Sequence, residues 1–137
     1  MPFEIHPRLL ADSRFVCDLP LSRVVLSNDA RYPWCILIPR IPALRELFEV
    51  PEADRVQLFA EIDQVSRALQ DLFTPDKLNV AAIGNLVPQL HVHVIARFAT
   101  DAAWPQPVWG RGQPEPYTPD RAEARIQDLR AHLGEGS

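Results

Sequence analysis

Apolar and polar positions divide the chain into short β-type runs and two stretches of helical period. "RFVCDLP" (14–20) and "LSRVVLSND" (21–29) are short and rich in β-branched residues, so each reads as a strand; Pro20 ends the first and Asn28-Asp29 start a turn after the second. "WCILIPR" (34–40) is almost continuously apolar, which at that length favours a buried strand over a helix. From residue 51 to 73 the period changes. Leu58, Phe59, Ile62, Val65, Leu69, Leu72 and Phe73 recur at helical spacing, with polar residues between them. Pro51 suits a first turn, Glu52 and Asp54 complement the positive helix end, and Thr74-Pro75 stops the helix. "KLNVAAIGN" (77–85) then reads as a strand ending at the turn signal Gly84-Asn85, and "QLHVHVIARF" (89–98) as the next strand. A second helix is predicted over 119–133, capped by Thr118, striped by Ile126, Leu129 and Leu133, and ended by Gly134. "HPRLLAD" (6–12) forms a short helical turn.

Strands, a long helix and then a hairpin predict an α+β fold: an antiparallel sheet with one long helix packed on it and a C-terminal helix. The 137 residues suit a single domain, 1–137, with a real core. Of the 14 prolines, many fall in "WPQPVWGRGQPEPYTP", which reads as a long irregular connection because proline lacks a backbone donor and fixes φ. Trp104 and this run read first as packing for an otherwise loose tail.

Composition narrows the function classes. A net charge of −4 argues against broad electrostatic binding of nucleic acid. No apolar run reaches the roughly 18 residues of a membrane span. "MPFEIHPRLLADSR" lacks a basic region followed by an apolar stretch, so no secretory signal is read and a cytoplasmic location is expected. Cys17 and Cys35 form no CxxC pair and read as reduced core thiols, with a disulfide or a zinc pair as the alternatives.

The candidate chemistry lies in "VPQLHVHVIAR", residues 87–97. Side chains alternate across a strand, so Gln89, His91 and His93 share one face, while Leu90, Val92 and Val94 share the face that meets the core or the long helix. A polar face is what a solvated antiparallel strand shows, but two histidines in line are unlike the Thr, Lys and Glu usual there. Zinc would take both, yet no Cys, Asp or Glu lies between Gly84 and Phe98 to complete its shell, so no metal site is expected. Alternatively, one imidazole attacks phosphorus. That chemistry needs the far ring nitrogen anchored, a second donor for phosphate oxygens, and a turn with exposed amides upstream, where "IGNLVP" stands.

These residues resemble a known family. "QLHVHVI" matches the histidine triad (HIT) signature His-φ-His-φ-His-φ-φ, φ being hydrophobic, except that Gln89 takes the place of the first His. "GNLVPQLHVHVIAR" also follows, without a gap, the Fhit-like pattern Gly-Gln-Thr-Val-Lys-His-φ-His-φ-His-φ-φ-Pro-Arg, with Gly84, Val87 and Arg97 matching and Asn85 a conservative stand-in. The order of elements agrees over roughly residues 15–100.

The resemblance implies a nucleotide-binding α+β fold, a homodimer, and cleavage or transfer of nucleoside monophosphates. It makes His91 the nucleophile and His93 a phosphate ligand, and puts Gln89 in the slot that orients the nucleophile's surroundings. Asn28 and Asp29 fall near the ribose-contacting position, Asn79 and Asn85 near the phosphate loop, with Asn79 equally well a simple strand-end residue, and Arg97 is either a phosphate contact or a surface ion pair. Leu86 replaces a frequent hydroxyl, Trp34 a frequent His at the start of the third strand, and Trp104 with the Pro-rich run after it resembles C-terminal loops that vary in the family and shape substrate choice. The implied activity is hydrolysis of a phosphoanhydride or phosphoramidate, with dinucleoside polyphosphates such as diadenosine tetraphosphate as natural substrates. No cofactor is required, although such a nucleotide can arrive with Mg²⁺. The rival is a non-catalytic nucleotide-binding regulatory module that kept the pocket and lost turnover.

Overall fold

The computed structural model describes residues 2–134. Its elements are α1 (Pro7–Ala11), β1 (Ser13–Asp18), β2 (Ser22–Ser27), β3 (Trp34–Pro39), α2 (Glu52–Phe73), β4 (Lys77–Ala81), β5 (Val92–Arg97) and α3 (Pro119–Leu133), with a 3₁₀ turn at Leu47–Glu49. The strands form one antiparallel sheet in the order β1-β2-β3-β5-β4. This is the expected α+β architecture.

Both faces of the central strands are covered, which explains the almost unbroken apolar runs of β3 and β5. On one face Val24, Leu26, Cys35, Leu37, Val94 and Ala96 pack against Val65 and Leu69 of α2 and Ile126 and Leu129 of α3. On the other face Val25, Ile36, Ile38 and Ile95 pack with Leu9 of α1, Val87 of the loop before β5, and Ala103 and Val108 of the connection after it. The second layer is therefore irregular chain, and the functional cleft opens in it.

The long helix keeps its predicted extent, but its buried face is shifted. Phe59, expected inside, is 68% exposed, whereas Glu61 is fully buried with Leu58, Val65, Ala68 and Leu69. Positions 58, 61, 65 and 68 share one helical face, and residue 59 lies about 100° round from it. The Glu61 carboxylate accepts hydrogen bonds from the backbone N–H groups of Leu21 (2.7 Å) and Ser22 (2.9 Å) and from Gln57. It thereby ties α2 to the β1–β2 turn, and the polarity that seemed to mark an outer face belongs to an interior clamp.

The strand expected over 77–85 stops at Ala81, and β5 begins at Val92 rather than residue 89. Between them Gly84 adopts a left-handed φ of 69° and Pro88 has no N–H to donate to a ladder. His91 therefore sits at the mouth of the strand and His93 within it. Cys17 and Cys35 are free and buried. Burial pushes their thiols up to about 11 and about 12, so neither is a nucleophile at neutral pH. No helix among the described residues is long and apolar enough to cross a membrane.

Candidate active site

His93 pairs with Ile36 on β3 and Ala81 on β4, which fixes its place in the centre of the sheet. The two imidazoles are 4.9 Å apart between ring centroids, edge to face, and each is largely buried. Their hydrogen bonds assign opposite tautomers. His91 Nδ1 lies 2.7 Å from the backbone carbonyl of Gln89. A carbonyl only accepts, so Nδ1 carries the proton and, in the neutral ring, Nε2 keeps its lone pair. Trp34 Nε1 donates to His93 Nδ1 at 3.0 Å. An indole only donates, so Nδ1 is the acceptor and the proton of His93 sits on Nε2. One ring thus offers a lone pair and its neighbour an N–H, the pairing that attack on phosphorus and stabilisation of its oxygens require. Neither Nε2 bonds to another protein group among the described residues.

Burial, with a smaller contribution from His91, pushes His93 down to about 3. It therefore remains a neutral donor throughout the physiological pH range. Replacing Trp34 by phenylalanine keeps the packing but removes the donor that fixes this tautomer. We expect the ¹⁵N shifts of His93 to report mixed tautomers; an unchanged spectrum would show that Trp34 is only a packing residue.

His91 lies where two hollows meet. One, of about 430 Å³, is lined by Arg8, Ile36, Asn85, Leu86, His93 and Trp109 among others. The other, of about 320 Å³, is walled by the 45–48 loop, Gly84 and Pro88. Both are of a size that takes small molecules. The backbone N–H groups of Gly84, Asn85, Leu86 and Val87 donate to no protein acceptor among the described residues, leaving a run of amides beside the rings. No group of three or more His, Cys, Asp or Glu side chains that could hold a metal ion occurs among the described residues.

A model of the HIT domain matches residues 8–100. A histidine triad protein of Marinobacter aquaeolei superposes over the whole of both chains with a TM-score of 0.96 at 41% identity. One from Bradyrhizobium japonicum is 47% identical, with a TM-score of 0.95 over 97% of this chain and 99% of its own.

The chain belongs to the histidine triad family.

A third histidine triad protein, from Sinorhizobium meliloti, is 37% identical over 96% of this chain and 97% of its own, with a TM-score of 0.93. The nematode NitFhit protein shares the fold alone: identity is 16% and the TM-score 0.61, over 88% of this chain and 26% of that one. No curated protein matches the chain.

Within this histidine triad fold the eight residues singled out from sequence fall into separate groups. His91, His93 and Asn85 line the same hollow. Asn28 and Asp29 line a neighbouring hollow of about 460 Å³, which shares Asp12, Ser27, Trp34 and Trp109 with the first. Asp29 is buried and bound to Arg31, and Asn28 accepts from the backbone N–H of Tyr117, so both also anchor the chain that leads into α3.

Gln89 does not orient His91 through its side chain. That contact comes from its backbone carbonyl, which any residue provides, while the carboxamide bonds to the N-terminal segment. Asn79 and Arg97 lie on the same face of the sheet as the rings, yet line neither hollow that His91 borders. Arg97 is 2% exposed and forms neither a surface ion pair nor a free phosphate contact. It binds Asp101 through two nitrogens and donates also to Asn79 Oδ1 and to the carbonyl of Gln106. This bonding occupies the groups a phosphate would need.

Trp109 is the residue that sequence reading missed. Its ring stands edge-on to His93 at 5.0 Å and to Trp34 at 5.8 Å. Trp104, the tryptophan singled out in that run, instead covers Arg97. The Pro-rich connection thus builds the site as well as packing the tail. The resemblance points to this run through Trp104, but spacing in irregular chain carries no direction and leaves Trp109 unmarked.

Proposed function

We propose that this protein is a nucleotide hydrolase or transferase acting at the α-phosphorus through a covalent nucleotidyl intermediate on His91. The observation that carries this reading is the tautomer pair: Nδ1–H of His91 held by the Gln89 carbonyl, and Nδ1 of His93 held by the Trp34 indole. The lone pair of His91 Nε2 forms the N–P bond as the P–O or P–N bond to the leaving group breaks. The leaving group departs with that electron pair and gains a proton. The ring becomes cationic, and the Gln89 carbonyl facing Nδ1–H stabilises it. Water then attacks phosphorus and releases a proton to solvent as the N–P bond breaks, which balances the proton the leaving group took from solvent, and the imidazole recovers its lone pair. In this reading His93 Nε2–H and the amides of 84–87 donate to the non-bridging oxygens. The chemistry uses no metal, though the nucleotide can bring Mg²⁺.

Two features favour a dinucleoside polyphosphate such as diadenosine tetraphosphate. His91 borders two hollows, which suits one group on each side of the reacting phosphorus. The gapless match of residues 84–97 to the Fhit-like pattern favours that branch of the family. We also infer a homodimer, since β4 is an open edge strand with Val80 exposed and α2 exposes Val56 and Phe59.

The test is turnover. Purified protein is expected to release AMP from diadenosine tetraphosphate or adenosine 5′-phosphoramidate, and rapid quenching in alkaline denaturant, in which the acid-labile N–P bond survives, is expected to trap a nucleotidyl group on His91. AMP binding with no release above the His91→Ala background would favour the non-catalytic module instead.

A further inference from the structure

The carboxamide of Gln89 makes two hydrogen bonds to a segment more than eighty positions away. Its Nε2 donates to the Glu4 carbonyl at 2.8 Å, and its Oε1 accepts from the His6 N–H at 2.9 Å. These two backbone groups flank Ile5 and point to the same side of an extended chain, and a carboxamide presents its N–H and C=O side by side to match them. An imidazole in this slot, with ring nitrogens pointing apart, could satisfy one of them at most.

The latched segment leads directly into the cleft. His6 Nδ1 accepts from the Arg8 N–H at the start of α1. Leu9 is buried against the sheet with Val25, Trp34 and Ile36. That anchoring sets Arg8 on the wall of the hollow that holds His91 and His93. Arg8 is the sole cationic side chain there among the described residues, and its guanidinium has no hydrogen-bond or ion-pair partner among them. Asp12 lines the same hollow without pairing to it. His93 is neutral, so it adds no positive charge to balance a phosphate. An exposed, unpaired guanidinium on the wall of the hollow that both imidazoles also line is suited to bidentate contact with phosphate oxygens.

We propose that Gln89 is a positioning residue that latches residues 4–6, and that the latched segment presents Arg8 as a phosphate-binding residue of the cleft. The proposal rests on the nucleotide reading above, and deepens it by assigning a charge contact that the histidines do not make.

The experiment measures calorimetric binding of adenosine, ATP and inorganic tripolyphosphate to wild type, Arg8→Ala, Arg8→Lys, Gln89→Ala, Gln89→His and a variant of the cation that lines the second hollow bordered by His91, Arg45→Ala, together with hydrogen exchange at the His6 amide. Arg8→Ala is expected to weaken ATP and tripolyphosphate roughly tenfold while leaving adenosine unchanged, with Arg8→Lys recovering part of the loss. Gln89→Ala and Gln89→His are expected to speed exchange at His6 and weaken the same two ligands. Neither should add to the loss in an Arg8→Ala background, because Gln89 acts through Arg8. Wild-type exchange at His6 in both Gln89 variants would overturn the latch. Unchanged tripolyphosphate binding in Arg8→Ala, or a loss confined to Arg45→Ala, would overturn the phosphate site. Arg8-dependent tripolyphosphate binding without nucleotide turnover would sink the hydrolase reading and leave this one standing. Turnover indifferent to Arg8 would do the reverse.

Discussion

Replacing His91 by alanine is expected to lower the rate of nucleoside monophosphate release by at least about 10³-fold, which corresponds to roughly 4 kcal/mol of transition-state stabilisation. The size follows from the kind of group removed. His93 Nε2 is already protonated and hydrogen-bonded into that state from behind by Trp34, so it cannot take over as nucleophile. The cleft that remains can orient substrate and hold phosphate oxygens, which accounts for residual rate but supplies no N–P bond. The ring lies at the strand mouth, where two hollows meet, so its loss opens more of an existing space and leaves the sheet in place. Far-ultraviolet circular dichroism and AMP affinity should both stay near wild type. His91→Gly with added imidazole gives the sharper test. Recovery of turnover with free imidazole identifies the ring itself as the missing part, whereas turnover in the alanine variant comparable to wild type would show that the covalent step runs elsewhere or not at all.

The second large effect is on stability. Arg97→Met is expected to cost about 3–5 kcal/mol, because it strands the Asp101 carboxylate, whose side chain is 3% exposed, without its cation. For a chain of this size that is a fall in Tm of roughly 10–20 °C. Burial pushes Asp101 up, but the Arg97 guanidinium and the backbone N–H groups of Phe98, Trp104 and Ala103 outweigh it and hold the carboxyl down at about 2. In wild type this contribution is complete above the unfolded value near 4 and is lost as pH falls through that value toward about 2. The gap in Tm between Arg97→Met and wild type should therefore be widest near neutrality and narrow below pH of about 4, once the stranded carboxyl takes up a proton. Arg97→Met with Asp101→Asn should recover part of the loss, since the neutral amide removes the stranded charge and its one oxygen still accepts from the Ala103 and Trp104 N–H groups, although the Phe98 N–H loses its acceptor. A single variant as stable as wild type across this range would show that the pair contributes nothing.

Arg97 also marks where sequence reading stops. Its place next to the histidines was visible, and so was its match to a family pattern. Whether its guanidinium meets a ligand or the interior depends on Asp101, Asn79 and the Gln106 carbonyl converging on it, and no local pattern encodes that. Gln89 teaches the same point. It occupies a histidine's slot in the motif, yet its carboxamide is committed to Glu4 and His6. Trp34 looked like a missing histidine and proves to be the donor that sets the tautomer of His93.

What the chain's sequence determined by itself was whatever repeats with a local period. Alternation along 89–97 separated the histidine face from the valine face, and the helical spacing of 58–73 and 119–133 marked both long helices, because side-chain direction in regular structure follows from position alone. The motif that placed His91 and His93 is of this kind. The tertiary structure alone decided which nitrogen of each ring carries its proton, that Glu61 is buried and Phe59 is not, and that Trp109 and Arg8 wall the cleft. Those outcomes depend on donors and acceptors meeting across dozens of residues through irregular chain, where a side chain's direction is set by its partners and not by its spacing.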